Sequence, residues 1–424
     1  MTTPRLDLYL HDHHVGTVAP DPRDRTRVVL EVASDYQQEV LLSESFATLP
    51  GRRPPGNDVS NFLGGYVPEG NHRVQMAAKR RIDKDDLFAL LTEFGGSIAG
   101  AVTLRRPDEA PDYRPRYEPL DDRALAAKLK QAIEESDQGL PDDSRSTLPG
   151  YQPKVLVARF DDGWVYPHGR AHSTHILKPQ LPASPSRIFD EHYGHQLAQH
   201  VGLSAFQSAI LSAGRVTYLA IERFDRTVAD GTVRLHHQED LAQAMSLDWR
   251  DTDRKFQEPD WPTDPKRATA RRIAELLGSL PEGRVAVEQW VRQLTFHVAI
   301  GNNDAHAKNV ALMHLVTGTE LAQVYDAVPN LFQQGRVKWD MALAIDAVFD
   351  HRRMSVERLL AEITSWGVIP ARRASTLIVE LLTALDRAVT ALGTPKKLSE
   401  GLVDGLGWNL SRLLSGQEIS EAKR

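Results

Sequence analysis

Asp304, His306, Lys308 and Asn309 crowd one polar stretch, "GNNDAHAKNVAL" (residues 301–312), which runs straight into apolar residues. Phosphoryl transfer asks for a carboxylate that orients the attacking hydroxyl, oxygen ligands for magnesium and a cation on the phosphates. Asp304 and Asn309 have the Asp-x4-Asn separation found in phosphoryl-transfer catalytic loops, where the first residue takes the hydroxyl proton and the second binds metal. Further on, two apolar runs flank "TGTE", a hairpin signal, and Asp326 follows the second run in "QVYDAV". Such a hairpin returns Asp326 beside Asn309, and the two are hard oxygen ligands of the kind magnesium takes beside substrate phosphates. Lys308 would then neutralise the transferring phosphate. The competing reading is ordinary: Asp and Asn cap helices and bond turn backbones, and the spacing alone favours that. A second aspartate after a hairpin makes several independent requirements agree.

Three further stretches fit the same chemistry, each with an ordinary alternative. Lys178, in "THILKPQ", carries a charge among apolar neighbours, as a lysine reaching phosphates would; the alternative is an edge-strand lysine that blocks aggregation. Glu191, thirteen positions on in a helical stretch, is a candidate partner for it or a solvated helix residue. "STLPGYQPK" (146–154) is a turn that could wrap phosphates with backbone N–H groups, although one glycine matches neither glycine-rich phosphate loop well. "AIERFDR" (220–226) is a strand running into a polar turn, a place for an adenine to meet backbone groups or simply a strand end with an Arg-Asp pair.

The elements that must position these groups follow from periodicity. Residues 5–33 alternate as short strands, and "DKDDLFALLTEFGG" is a helix with acidic residues at its start and glycines past its end. The Pro- and charge-rich "PDEAPDYRPRYEP" (107–119) reads as a linker. After it come the helix "DDRALAAKLKQAIEES", a hairpin turned by "FDDGW" and further strands. Beyond residue 238 the pattern is helical apart from the "TGTE" hairpin. The segments expected are therefore 1–106, a strand-rich 120–225 and a helical 226–424.

The chain's 424 residues, 41% hydrophobic and 25% charged, describe a globular protein with room for a large core. A net charge of −6 leaves no overall basic field, so any DNA contact has to be local or supplied by a partner. The absence of cysteine excludes disulfides, thiolate metal sites and cysteine nucleophiles, and suits a reducing compartment. No apolar stretch reaches the roughly 18 residues of a membrane span, nor does the N-terminus carry a signal-peptide core, so the cytoplasm is expected. The histidine clusters "HDHH" (11–14) and "HHQ" (236–238) form no complete zinc ligand set.

Taken in order, "VGTVAP", "LLTEFGGSIAGAVTL", "STLPGYQPK", "THILKP", "IERFDR", "HQEDLAQ", "GNNDAHAKN" and "YDAVP" resemble the HipA-type serine/threonine kinases, toxins of bacterial toxin–antitoxin systems, over nearly the whole chain. The resemblance implies an α+β, protein-kinase-like two-lobed fold with an extra N-terminal subdomain and an all-helical C-terminal lobe. It implies ATP and Mg2+ as cofactors and Asp304 as the catalytic aspartate. Asn309 and Asp326 are then the magnesium ligands and Lys178 the ATP-contacting lysine. Pro149, Gly150, Tyr151, Gln152, Pro153 and Lys154 match the phosphate loop, and Glu222, Arg223 and Phe224 the adenine-binding hinge. His306, Lys308, Asn309, Tyr325 and Asp326 complete the nucleotide contacts.

The family further implies autophosphorylation in the phosphate loop, a small HipB-like helix-turn-helix antitoxin that carries the complex to operator DNA, and aminoacyl-tRNA synthetases as protein substrates. Two departures stand out. The autophosphorylated residue is commonly serine, whereas Thr147 aligns here, with Ser144 and Ser146 beside it. "GGYVPEG" (64–70) replaces a more leucine-rich segment. Two other functions compete with a toxin kinase: a catalytically weak regulatory subunit that binds an antitoxin and assists operator binding, and a small-molecule kinase. Four separated catalytic groups weigh against a protein that needs only a surface.

Overall fold

The computed structural model describes residues 4–37, 39–109, 114–135, 143–149, 152–161, 163–333 and 338–420. The chain begins with strands β1 (Leu6–Leu10), β2 (His13–Pro20) and β3 (Val28–Val32), then helices α1 (Gly56–Gly64), α2 (Gly70–Arg80) and α3 (Leu87–Phe94), and β4 (Val102–Arg105). Next come β5 (Arg116–Leu120), α4 (Asp122–Glu135), β6 (Val155–Phe160), β7 (Gly163–His168), β8 (His175–Pro179), α5 (Arg187–His200), β9 (Ser208–Ala213) and β10 (Val216–Glu222). Three short strands, β11 (Arg226–Ala229), β12 (Thr232–Leu235) and β13 (His237–Asp240), lead into α6 (Leu241–Ala244), α7 (Ala270–Ser279) and α8 (Gly283–Ile300). The rest is β14 (Ala311–Leu315), β15 (Gly318–Leu321), β16 (Asp340–Ile345), β17 (Val348–Asp350), α9 (Val356–Ser365), α10 (Ala371–Leu392) and α11 (Leu402–Leu414).

Contacts divide the chain into two units. The first holds residues 1–179, 209–252 and 313–318, and the second 180–208, 253–312 and 319–424. Both are discontinuous, a grouping that continuous sequence segments do not express.

In the first unit, β1 buries every second residue, Leu6, Leu8 and Leu10, and lies between β2 and β4 in a sheet ordered β3-β2-β1-β4. Its buried face meets Phe62, Leu87, Leu90 and Leu91 from α1 and α3 in one core. Asp86 caps α3 by accepting from Ala89 N at 2.9 Å, and Gly95 ends it, as the acidic start and glycine stop predict. A second sheet runs β5-β7-β6-β8-β10-β9, its core made with Leu125 and Leu129 of α4. The "FDDGW" turn joins β6 to β7, with Phe160 opposite Gly163 and Asp161 at φ 48°.

The expected linker is only partly one. Arg116 to Pro119 belong to β5, antiparallel to β7, with Pro119 on the sheet's edge strand, where its missing N–H costs no ladder bond. Tyr117 packs edge-on against Phe160 at 4.9 Å, apolar contact that the charge and proline around it hide in the sequence.

In the second unit α8 is buried along most of its length, Trp290 and Phe296 completely, and packs against α7, α10 and α11. Thr269 caps α7 and Ser355 caps α9 through their hydroxyls. This part is not purely helical, because β16 and β17 form a hairpin on which α7 and α9 rest. The apolar run "MALAI" is buried at every position, so it lacks the period-two pattern that marks a half-exposed strand.

Candidate functional site

Helix α8 delivers the "GNNDAHAKN" loop by the way it stops. Gly301 adopts φ 68°, its N–H reaches Val298 O, and Asn302 N–H reaches His297 O at 2.9 Å, a Schellman ending. A side chain at position 301 would be strained at that φ and would press on Phe332. The chain then turns through Asp304 and enters a short 3-10 turn, Ala307–Asn309, before β14.

Within the loop each expected residue has a defined place. The Asp304 side chain is half exposed, with His306 Nε2 3.9 Å from its Oδ1. Asn309 Nδ2 donates to the Asp304 carbonyl at 2.9 Å, so its Oδ1 is the atom left for a cation. Buried His306 meets the Phe256 ring edge-on at 4.9 Å, fixing its plane. Tyr325 donates its hydroxyl to the Lys308 carbonyl at 2.8 Å, and Ala322 N–H bonds to Ala311 O at 2.8 Å. The expected hairpin thus returns the 322–326 segment to the loop. Asp326 sits in the left-handed region at φ 52°, which aspartate tolerates better than most residues. His297, wholly buried beneath the loop, is pushed down to about 4 by burial, partly offset by the Asp326 charge, and so is neutral at pH 7.

Those donors fit a magnesium ion in type: an amide oxygen and carboxylate oxygens on one short stretch and its return, where the ion needs one or two carboxylates and substrate oxygens. Among the described residues no group of three or more His, Cys, Asp or Glu is arranged to hold a metal.

The first unit carries the other expected groups. Lys178 lies on β8 between β6 and β10, opposite Leu219, and is 8% exposed. An edge-strand role is therefore excluded, and a lysine buried mid-sheet is held for a purpose beyond solubility. Glu191 falls in the second unit on α5.

Of the expected phosphate loop, Gly150 and Tyr151 lie outside the described residues. Lys154 closes its other end by donating to Pro149 O at 3.0 Å, with Pro153 half-buried before it. The buried Gln152 Nε2 has no hydrogen-bond partner among the described residues. At the hinge, Glu222 ends β10 opposite His175 and Phe224 is half-buried.

The Arg223 side chain is committed elsewhere. It chelates Asp225 at 3.0 and 2.8 Å and donates to Ser173 Oγ at 2.8 Å, which leaves only its backbone for a nucleotide. Asp225 also binds Arg226 and the Gly100 N–H, each at 2.8 Å. Burial alone would raise the Asp225 carboxyl, but the two guanidiniums hold it well below the usual carboxylate range. The "RFDR" stretch is thus a buried ion cluster tying β10 to the 98–100 turn, a task its sequence did not announce.

Ser144, Ser146 and Thr147 are all buried, at 3%, 1% and 0% exposure. Thr147 N–H donates to Ser97 O at 3.0 Å, and the Ser146 and Thr147 hydroxyls have no hydrogen-bond partner among the described residues. Arg145 anchors the stretch through Thr92 O at 3.0 Å and through Glu109. Two buried polar placements escaped the sequence reading. One is Glu239 of "HQEDLAQ", fully buried and bonded to His314 Nε2 at 2.9 Å and to Ser43 Oγ at 2.8 Å. The other is Asn302, which bonds to the Asp304 N–H and to the Asp326 carbonyl; the signal was an Asn directly after a helix-stopping glycine.

The two larger sheets of the first unit, the mainly helical second unit and the Asp-x4-Asn loop with its returning aspartate are the parts expected of a kinase-like phosphotransferase. The chain belongs to the HipA family of kinases: a model of the HipA-like C-terminal domain matches residues 146–389, and one of the HipA N-terminal domain matches 6–105. Among its relatives is a protein of Sinorhizobium fredii named "Putative kinase Y4mE", 31% identical over 67% of this chain and 68% of the relative. The serine/threonine-protein kinase toxin HipA of Shewanella oneidensis is 24% identical over 91% of this chain and 87% of its own. A solved complex of HipA, HipB and operator DNA from Shewanella oneidensis matches in fold with a TM-score of 0.79 at 22% identity, covering 97% of this chain and 96% of that one.

Proposed function

We propose that this chain is an ATP- and magnesium-dependent serine/threonine protein kinase that acts in the cytoplasm as the toxin of a toxin–antitoxin pair. The observation that carries the reading is the tie from Asn309 Nδ2 to the Asp304 carbonyl, which turns the amide into a donor toward the loop and an acceptor toward a cation. The same arrangement supports separate tasks for the two ends of the Asp-x4-Asn motif. Asp304, half exposed, accepts the proton of the attacking hydroxyl as its oxygen bonds to the γ-phosphorus and the bond to ADP breaks. Lys178 and Lys308 offset phosphate charge, and the backbones of Glu222 to Phe224 and of the 149–154 loop contact adenine and phosphates. When bound at Asn309 and Asp326, magnesium supplies charge neutralisation on the phosphate oxygens.

The acceptor class rests on the Shewanella oneidensis relative named as a serine/threonine-protein kinase toxin. A translation component such as an aminoacyl-tRNA synthetase is the proposed substrate, and a loop hydroxyl, Thr147 first and Ser146 or Ser144 after it, the proposed autophosphorylation site. The Shewanella complex with HipB and operator DNA supports a helix-turn-helix antitoxin as partner, with DNA reached through it. Asp304→Ala and Asp326→Ala test the reading. Each is expected to lower label transfer from ATP by at least ~100-fold and to abolish growth arrest on expression. If both variants transfer label as well as wild type, the reading fails.

A further inference from the structure

Both acidic segments of the candidate site converge on one side chain, that of Asn302. We propose that Asn302 is a positioning residue that holds Asp304 in register with Asp326 for transfer; the proposal rests on the kinase reading above. Asn302 is 1% exposed and its amide makes four hydrogen bonds. Oδ1 accepts from the Asp304 backbone N–H at 3.2 Å and from Asn330 Nδ2 at 3.1 Å. Nδ2 donates to the Asp326 carbonyl at 3.3 Å and to His297 Nδ1 at 3.1 Å.

The partners leave no freedom in how the amide is turned. A backbone N–H only donates, so the oxygen must face Asp304; a carbonyl only accepts, so the nitrogen must face Asp326. Nor does stopping the helix require this side chain, because Gly301 and the backbone N–H of Asn302 already complete that ending. What the amide adds is a bridge between segments 24 positions apart in sequence, one carrying the proposed base and the other a proposed magnesium ligand in the left-handed conformation. No other side chain combines an acceptor and a donor at this length: aspartate keeps the first and loses the second, and glutamine displaces both by a methylene.

The test compares wild type, Asn302→Asp, Asn302→Ala and Asp304→Ala in the full chain. Four readouts are taken: label transfer from ATP, affinity for a fluorescent ATP analogue without metal, Mn2+ affinity by electron spin resonance with a non-hydrolysable ATP analogue, and thermal melting. Misplacement of a reacting group by about 1 Å costs about 100-fold, so kcat in both Asn302 variants is expected to fall by about that factor. Metal-free nucleotide affinity is expected to stay within about threefold, while Mn2+ binding weakens about tenfold, since the lost bridge acts on the acidic segments rather than on the nucleotide. A kcat within about threefold of wild type in Asn302→Asp overturns the proposal. So does a joint loss of transfer, metal-free nucleotide affinity and melting temperature, which marks a merely structural residue. Should the alanine variant not fold, the aspartate, of equal volume, carries the test; if neither folds, the role is structural and the proposal falls. A wild-type chain that transfers no more label than Asp304→Ala overturns the kinase reading itself, and that comparison is read first.

Discussion

Asn309 differs from an aspartate by one N–H2 group, and in this fold that group is in use. Its Nδ2 points at the Asp304 carbonyl 2.9 Å away. Asn309→Asp would add a second carboxylate near the proposed metal, a change that on charge alone favours tighter binding, but it would also set an anionic oxygen against a carbonyl that can only accept. The geometric effect wins, because a backbone that must retreat carries Asp304 with it. On the proposed reading, label transfer by Asn309→Asp falls about 100-fold while the protein melts within a few degrees of wild type, the site being half exposed. Transfer near the wild-type rate would show that the tie does not position Asp304. The sequence supplied Asp304, Asn309 and Asp326 through spacing and a hairpin signal, since both are local properties of the chain. It was silent on Asn302 and on the ties of Arg223 beyond its neighbour Asp225, because those depend on partners 24 positions away in one case and 50 in the other.

Elements whose logic is local were equally legible. The α3 cap and stop, α4, the "FDDGW" turn and the β14–β15 hairpin all follow from residues within one turn of themselves. Elements that depend on what covers them were not: β5 hid in a linker-like composition, and β16 in a run buried on both faces. The 144–147 stretch shows the same contrast in function. Its hydroxyls are chemically suited to phosphorylation, yet the stretch is seated on Ser97 and clamped by Arg145, whose guanidinium meets Glu109 while Arg170 reaches the same carboxylate at 2.7 Å. A hydroxyl with less than 4% exposure cannot meet a γ-phosphate until the seat opens. Glu109→Gln keeps the shape and removes the charge, weakening the clamp by on the order of 1 kcal/mol, a few-fold in the population released. On the proposed autophosphorylation, the initial rate of self-labelling, followed by intact mass, is therefore expected to rise a few-fold with ATP affinity unchanged. A rate equal to or below that of wild type would show that release of this stretch does not limit labelling.

Across the molecule the same burial that orders these parts stores neutral imidazoles in both units. Burial holds His172 and His237 of the first unit well below the ordinary histidine value, and brings His297 and His351 of the second to about 4. His351 donates its Nε2–H to Val298 O at 2.7 Å, a bond either protonation state makes, whereas His297 accepts at Nδ1 from Asn302, which only the neutral ring can do. In the unfolded chain each of these rings takes up a proton near 6.5, while in the folded chain it does not until about 4 for the two in the second unit. The unfolded state thus binds more protons throughout that window, so stability falls as pH drops from 6.5 toward 4 and is constant above 6.5 as far as these groups are concerned. At 1.36 kcal/mol per pKa unit, each fully buried ring contributes roughly 3 kcal/mol of loss by the lower end, a large share of an ordinary domain's stability. Carboxylates such as Asp225, held low by their arginines, lose their contribution only below their unfolded value near 3.8, so the first loss on acidification belongs to histidine. Urea midpoints measured from pH 7.5 to 4.5 are expected to be level down to about 6.5 and then to fall steeply. His351→Gln keeps an N–H donor for Val298 O without a titrating ring, and is expected to make that fall shallower by one proton's worth of slope. A midpoint that stays level to pH 4.5 in wild type, or a slope unchanged in His351→Gln, would mean that these rings charge inside the folded protein at no cost, which their burial does not allow.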